Sequence, residues 1–137
     1  GRASMYISSG GSDGSSSLNK PKDHLKDHPS VHFENIEEVE VKGLDSWAVQ
    51  NSATQVDFLW LDMQGHEFSM LNKSNLILPG VKVIHSEVSL KEAYEHSMLY
   101  SDYRIWLENK GFVVVREAIP EGADMGNALF VRKELLH

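Results

Sequence analysis

Val56-Asp57-Phe58-Leu59-Trp60-Leu61-Asp62-Met63-Gln64-Gly65-His66-Glu67 decides how the rest of the chain is read. Apart from Asp57, residues 56–61 form a continuous apolar run. Short apolar runs without polar alternation are the pattern of strands covered on both faces, as in parallel sheets. The run stops at Asp62, and Gly65 permits a sharp turn and the close approach of a ligand. Residues 65–71 read as a helix. Glu67 falls in its first turn, where a carboxylate complements the helix dipole.

Toward the C-terminus, Pro79-Gly80 is a strong breaker. Residues 81–88 read as a second buried strand, which carries Glu87 near its end. Leu99, Tyr103, Trp106 and Leu107 share one helical face, and Gly111 follows as the expected terminator. Strands are expected at 112–115 and 128–131, joined by a loop over 121–126. From residue 56 onward the order is strand, helix, strand, helix, strand, strand. That alternation predicts an α/β fold with parallel central strands. No helix separates the last two strands, so they are expected to pair antiparallel.

Toward the N-terminus, Leu44, Trp47 and Ala48 make 44–50 a short amphipathic helix. Residues 37–42 alternate as a half-buried strand, with Val39 and Val41 facing one way. Residues 20–31 are charged and carry Pro21 and Pro29, so they read as irregular, with room for one helical turn. The Gly/Ser-rich stretch 9–17 is loop, and 2–8 is a short strand. There is no internal repeat.

Composition narrows the function classes. The 137 residues carry a net charge of −7, with 41% hydrophobic and 24% charged side chains. An acidic balance without a Lys/Arg cluster argues against a protein that tracks nucleic-acid phosphates. With no cysteines there is no disulfide, zinc thiolate or Cys nucleophile. That absence fits a reducing compartment, and a cytoplasmic location is expected. No apolar run approaches the ~20 residues that span a bilayer, so no membrane insertion is expected.

Ligands of open parallel sheets gather at the carboxyl ends of the strands. Those ends carry Asp62 and Glu87, with Glu67 close by. Converging carboxylates raise one another's pKa and can produce a general base. Each also has a structural explanation. Glu67 would stabilise its helix, Asp62 would cap it, and Glu87 would pair with a structural partner inside the sheet. His24, His28 and His32 are spaced i, i+4, i+8, with Asp23 and Asp27 beside them. Pro29 interrupts any continuous helix through them, so they read as a polar loop and no metal site is expected. Asn72-Lys73-Ser74 fits a glycosylation acceptor only in spelling, and no Gly-x-Ser-x-Gly elbow is present.

The block Asp57 to Glu67 resembles that of FkbM-type methyltransferases, in which a hydrophobic strand runs into Asp, a variable residue, Gln or Glu, Gly, a small residue and Glu. Val83-Ile84-His85-Ser86-Glu87-Val88-Ser89 is similar to the family's next strand, which ends in Glu. Leu44-Asp45 resembles the pair opening the preceding helix. Ser15-Ser16-Ser17-Leu18 resembles the family's serine-rich turn, and Gly111-Phe112 the start of its penultimate strand. His66 departs from the pattern, which has a small residue there.

The resemblance implies the C-terminal portion of a Rossmann-like class I methyltransferase fold that transfers a methyl group from S-adenosylmethionine to a hydroxyl of a small-molecule or carbohydrate acceptor. It implies that Asp62, Met63 and Gln64 border the methionine end of the cofactor. Asp62, Glu67 and Glu87 are the implied catalytic residues, with Glu67 and Glu87 facing the acceptor hydroxyl. The glycine-rich cofactor loop and the ribose-binding carboxylate of the family have no counterpart here. The chain is therefore expected to be a single partial domain, with 1–43 peripheral and 44–137 the α/β core portion, and to be inactive alone. The strand 56–61 is then expected to have an open edge that promotes self-association, unless 2–8 or 37–42 folds over it. The alternative is a non-catalytic, methyltransferase-like binding or interaction module.

Overall fold

A computed structural model describes all 137 residues. Two sheets organise them. Strands β1 (Arg2–Gly10) and β2 (Val31–Glu40) pair antiparallel as a separate two-stranded sheet. The second strand is longer than the alternation at 37–42 predicts, because its register with β1 continues back to Val31 through polar residues. The intervening segment holds one short helix, α1 (His24–Asp27).

The remaining elements are α2 (Leu44–Gln50), β3 (Phe58–Leu61), α3 (Glu67–Leu71), β4 (Val83–Ser89), α4 (Tyr100–Asn109), β5 (Phe112–Ala118) and β6 (Met125–Arg132). The strands form one sheet in the order β3-β4-β6-β5. As expected, β3 and β4 run parallel, and β5 and β6 pair antiparallel. The sequence does not announce that β6 inserts between β4 and β5, antiparallel to both. The fold is therefore mixed α/β.

Alternation along the strands sends one set of side chains to a common core. Leu61, Ile84, Val88, Phe112, Ala128 and Phe130 meet Ala48 of α2, Leu71 of α3, and Tyr103 and Leu107 of α4. Gly111 takes φ +92° just past α4, the left-handed position that ends helices at low steric cost. Arg132 adds a lock that spacing does not reveal. Its guanidinium stacks on Phe112 and donates to the carbonyls of Leu78, Val81 and Lys110.

The other face of the sheet carries Phe58, Trp60, Val83, His85, Leu129 and Val131, in register across β3, β4 and β6. None of these belongs to the core cluster. Trp60 lies 4.6 Å from the His85 ring and is 70% exposed, and Phe58 is 50% exposed. Neither β1 nor β2 covers the outer edge of β3, since they pair only with each other.

Candidate functional site

The site is built where β3 ends. Its four residues end at Leu61, and the chain must then turn before α3 begins at Glu67. Two consecutive left-handed residues make that turn, Gln64 at φ +50° and Gly65 at φ +92°. Glycine accepts such a conformation freely, whereas a residue with a Cβ adopts it only under constraint. The reason for Gly65 differs from the one its sequence suggests. A Cβ there would lie 3.0 Å from the Ser97 side chain and 3.4 Å from Tyr94, so the close approach is to protein rather than to an open ligand cleft.

The constraint on Gln64 comes from the segment joining β1 to α1. Ser17 Oγ donates to the Gln64 carbonyl at 2.7 Å, and Asn19 Nδ2 donates to the Gly65 carbonyl at 2.9 Å. His66 Nδ1 sits 3.1 Å from Asn19 Oδ1. Burial, and then the Lys73 charge, lower the His66 pKa, so its ring is neutral at pH 7 and its Nδ1–H donates to Asn19. The large side chain that breaks the family pattern at this position is thus absorbed by a partner from the serine-rich segment.

The three carboxylates are placed differently. Asp62 is exposed, forms no ion pair, and accepts a 2.8 Å bond from Gln64 Nε2. It does not cap α3, whose N-terminal flanking residue is His66. Glu67 is buried at 6% exposure, and its Oε1 accepts the Met63 backbone N–H at 2.7 Å. Burial raises its pKa, opposed by that backbone bond. Glu67 therefore ties the turn to the helix.

Glu87 is half-buried on β4, between these two. Burial first, and then the neighbouring charges of Asp62 and Glu67, push its carboxyl up to about 8. At neutral pH it is mostly protonated. Glu67, Glu87, Gly65, Phe68, Met98 and Tyr103 are among the residues around a space of about 10 Å³, too small for a substrate. Asp62, Met63 and His66 instead open onto a cavity of about 430 Å³ also lined by Met5 and Val39 of the β1–β2 sheet and by Val41 just past it. That volume falls within the usual range for small-molecule pockets.

Two comparisons bear on this constellation. Residues 1–114 match the methyltransferase FkbM domain. The chain belongs to the FkbM methyltransferase family. It is also similar to the 2-O-methyltransferase NoeI of Sinorhizobium fredii (strain NBRC 101917 / NGR234), at 31% identity over 100 residues. That alignment covers 69% of this chain and 41% of the relative, so the chain spans less than half the relative's length. No solved structure matches. The family match places the turn, Glu67 and Glu87 inside the matched region.

The histidines of the 24–32 segment lie outside this turn. His24 is buried, 5.3 Å from the Phe33 ring and 5.4 Å from Tyr94. Its ring meets His28 at 4.8 Å, and no group of three ligand-type side chains converges to hold a metal. Burial, and then the His28 charge, lower its pKa. Sequence reasoning missed Tyr94 altogether. It is a lone aromatic in a polar loop, 30 positions from Gln64, and no periodicity flags it. The structure buries it to 1% exposure against the turn.

Proposed function

We propose that this chain is the acceptor-side part of an S-adenosylmethionine-dependent O-methyltransferase with a Rossmann-like class I fold, acting on a hydroxyl of a small-molecule or carbohydrate acceptor. The observation that carries it is the juxtaposition of the exposed Asp62 with the half-buried, basic Glu87 at the carboxyl ends of two parallel strands. The order β3-β4-β6-β5, with a terminal antiparallel pair, supports the fold assignment. The family match supports methyl transfer, and the relative's 2-O specificity supports oxygen as the acceptor atom.

The donor set at the turn fits the cofactor. Asp62 is an unpaired carboxylate at a cavity wall, complementary to the cationic methionine end, with Met63 and Gln64 beside it. When bound, S-adenosylmethionine supplies a methyl group made electrophilic by its sulfonium. Residues outside 1–137 supply the rest of the cofactor pocket and pair with the free edge of β3. In this reading 1–43 is the peripheral wall and 44–137 the α/β core portion.

The chain's own residues then divide the work. Glu67 stays bound to the Met63 N–H and fixes the turn. Asp62 orients ligand polar groups at the 430 Å³ cavity, with the Gln64 side-chain amide held against it. Glu87 takes the proton of the acceptor hydroxyl, which requires the side chains around its 10 Å³ space to part and admit that hydroxyl. A carboxylate is ordinarily too weak a base for a hydroxyl, and burial beside two like charges raises its basicity toward the working pH. Positioning supplies most of the acceleration.

The test is methyl transfer by the full-length protein, using methyl-labelled S-adenosylmethionine and a panel of methyl pyranosides and small alcohols. Wild type is expected to label an acceptor. Asp62→Asn and Glu87→Gln are expected to lower kcat about a hundredfold or more, within the range for losing a general base. Folded wild-type protein that labels none of the acceptors would favour the non-catalytic module instead.

A further inference from the structure

Gln64 has a carbonyl oxygen and an NH₂ at the end of its side chain, and the two are not interchangeable here. The Asp62 carboxylate can only accept, so the NH₂ must face it, at 2.8 Å from Oδ1. The amide oxygen then points the other way, to the Tyr94 hydroxyl at 3.0 Å. That hydroxyl is a donor, and it also reaches the Ser15 carbonyl at 2.8 Å, so its proton is shared between two acceptors.

Tyr94 is itself immobile. It is 1% exposed, its side chain packs beside Gly65, and its ring meets His24 and Phe33. Asp62, by contrast, is exposed and forms no ion pair. A buried phenol thus sets which way an amide points, and that amide holds Asp62 on one side, with the Glu87 carboxyl as its other hydrogen-bonding neighbour.

We propose that Tyr94 is a positioning residue for Asp62, acting through the side-chain amide of Gln64. The proposal rests on the reading of Asp62 as a site carboxylate. It assigns a function to a loop aromatic outside the sequence block that marks the family. It also explains why a side chain from the segment after β4 must pack on the turn after β3. Without the Tyr94 proton, Gln64 Oε1 has no donor, the amide is free to rotate, and Asp62 loses its fixed orientation.

The test is a double-mutant cycle in the full-length protein, with methyl-labelled S-adenosylmethionine and methyl pyranosides as probes. Tyr94→Phe keeps the ring and removes the hydroxyl. It is expected to lower kcat/KM for the cofactor about tenfold, as modest misplacement does, because Asp62 faces the cofactor's cationic methionine end. On an Asp62→Asn background it is expected to cost nothing more, because its effect passes through that carboxylate. An equal further loss in both backgrounds would show a merely structural role and overturn the proposal.

A second readout needs no turnover. In the 137-residue chain the two Gln64 side-chain amide protons should resonate apart from those of solvent-exposed glutamines, and Tyr94→Phe should move them to the free position. Resonances unchanged by the substitution would also overturn it. Should Tyr94→Phe fail to fold, Gln64→Leu leaves Tyr94 in place and, because it removes the direct bond to Asp62, is expected to lose at least as much. Wild-type turnover in that variant overturns the proposal. Full turnover in Asp62→Asn has a different meaning, since it removes Asp62 from the site and with it the functional reading itself.

Discussion

The two faces of the four-stranded sheet are built alike and finished differently. On one, Leu61, Ile84, Phe112 and Phe130 are at most 5% exposed beneath three helices. On the other, Phe58 and Trp60 stand 50% and 70% exposed on an edge strand with one free side. Both faces are apolar, so composition does not separate them. What separates them is whether an element of the chain returns to cover the face. The carboxylates sit where the two regimes meet, at the carboxyl ends of β3 and β4 and the start of α3, between a rigid core and an open edge.

That contrast gives the largest expected effect. Phe130→Ala on the covered face should destabilise by about 3–5 kcal/mol, as large-to-small core changes do. Trp60→Ala on the open face should cost well under ~1 kcal/mol. Denaturant unfolding of both variants checks this. Comparable losses would mean that the open face is covered in solution.

A sharper version concerns the turn. Gly65→Ala must place a Cβ at φ +92° and 3.0 Å from Ser97. It should cost about 1–3 kcal/mol, within the range for a strained non-glycine residue. Gly80→Ala, where a Cβ meets nothing within 4 Å, should be close to neutral. Urea midpoints compare them directly.

The open edge should also associate. Exposed apolar edge strands recruit other chains, so sedimentation of this chain should show weight rising with concentration. Trp60→Lys should suppress that rise by placing a charge on the edge. A concentration-independent monomer in both cases would show that β3 is not an association surface.

These contrasts also mark how far the sequence carries. The apolar run before Asp62 and the breaker at Pro79-Gly80 give the parallel β3–β4 pair, because buried strands write themselves as uninterrupted hydrophobics. Asp62, Glu67 and Glu87 are legible as candidates because carboxylates at strand ends are out of place in an apolar pattern. The insertion of β6 between β4 and β5 is not legible, since periodicity fixes which residues face the core but not which strand is next door. Nor does sequence distinguish the buried Glu67 from the exposed Asp62. Their difference comes from one backbone N–H and from the left-handed turn that Ser17, Asn19 and Tyr94 hold in place.

A smaller effect follows from Glu87 through pH. Its folded pKa, about 8, lies above the ordinary carboxylate value of 4.5. The native state therefore holds a proton that the unfolded chain has released, and stability falls as pH rises between those two values. Glu87→Gln should flatten that fall and exceed wild type in melting temperature at alkaline pH. A parallel decline in both proteins would place the raised pKa elsewhere.

The most direct test of the account is the pH dependence of methyl transfer by the full-length protein, measured with labelled S-adenosylmethionine. If Glu87 is the base, kcat rises with its ionisation through about pH 8 and then levels, and Glu87→Gln loses both the rate and the limb. A wild-type rate that is flat across that range, or a Glu87→Gln variant that keeps the same limb at full rate, would contradict it.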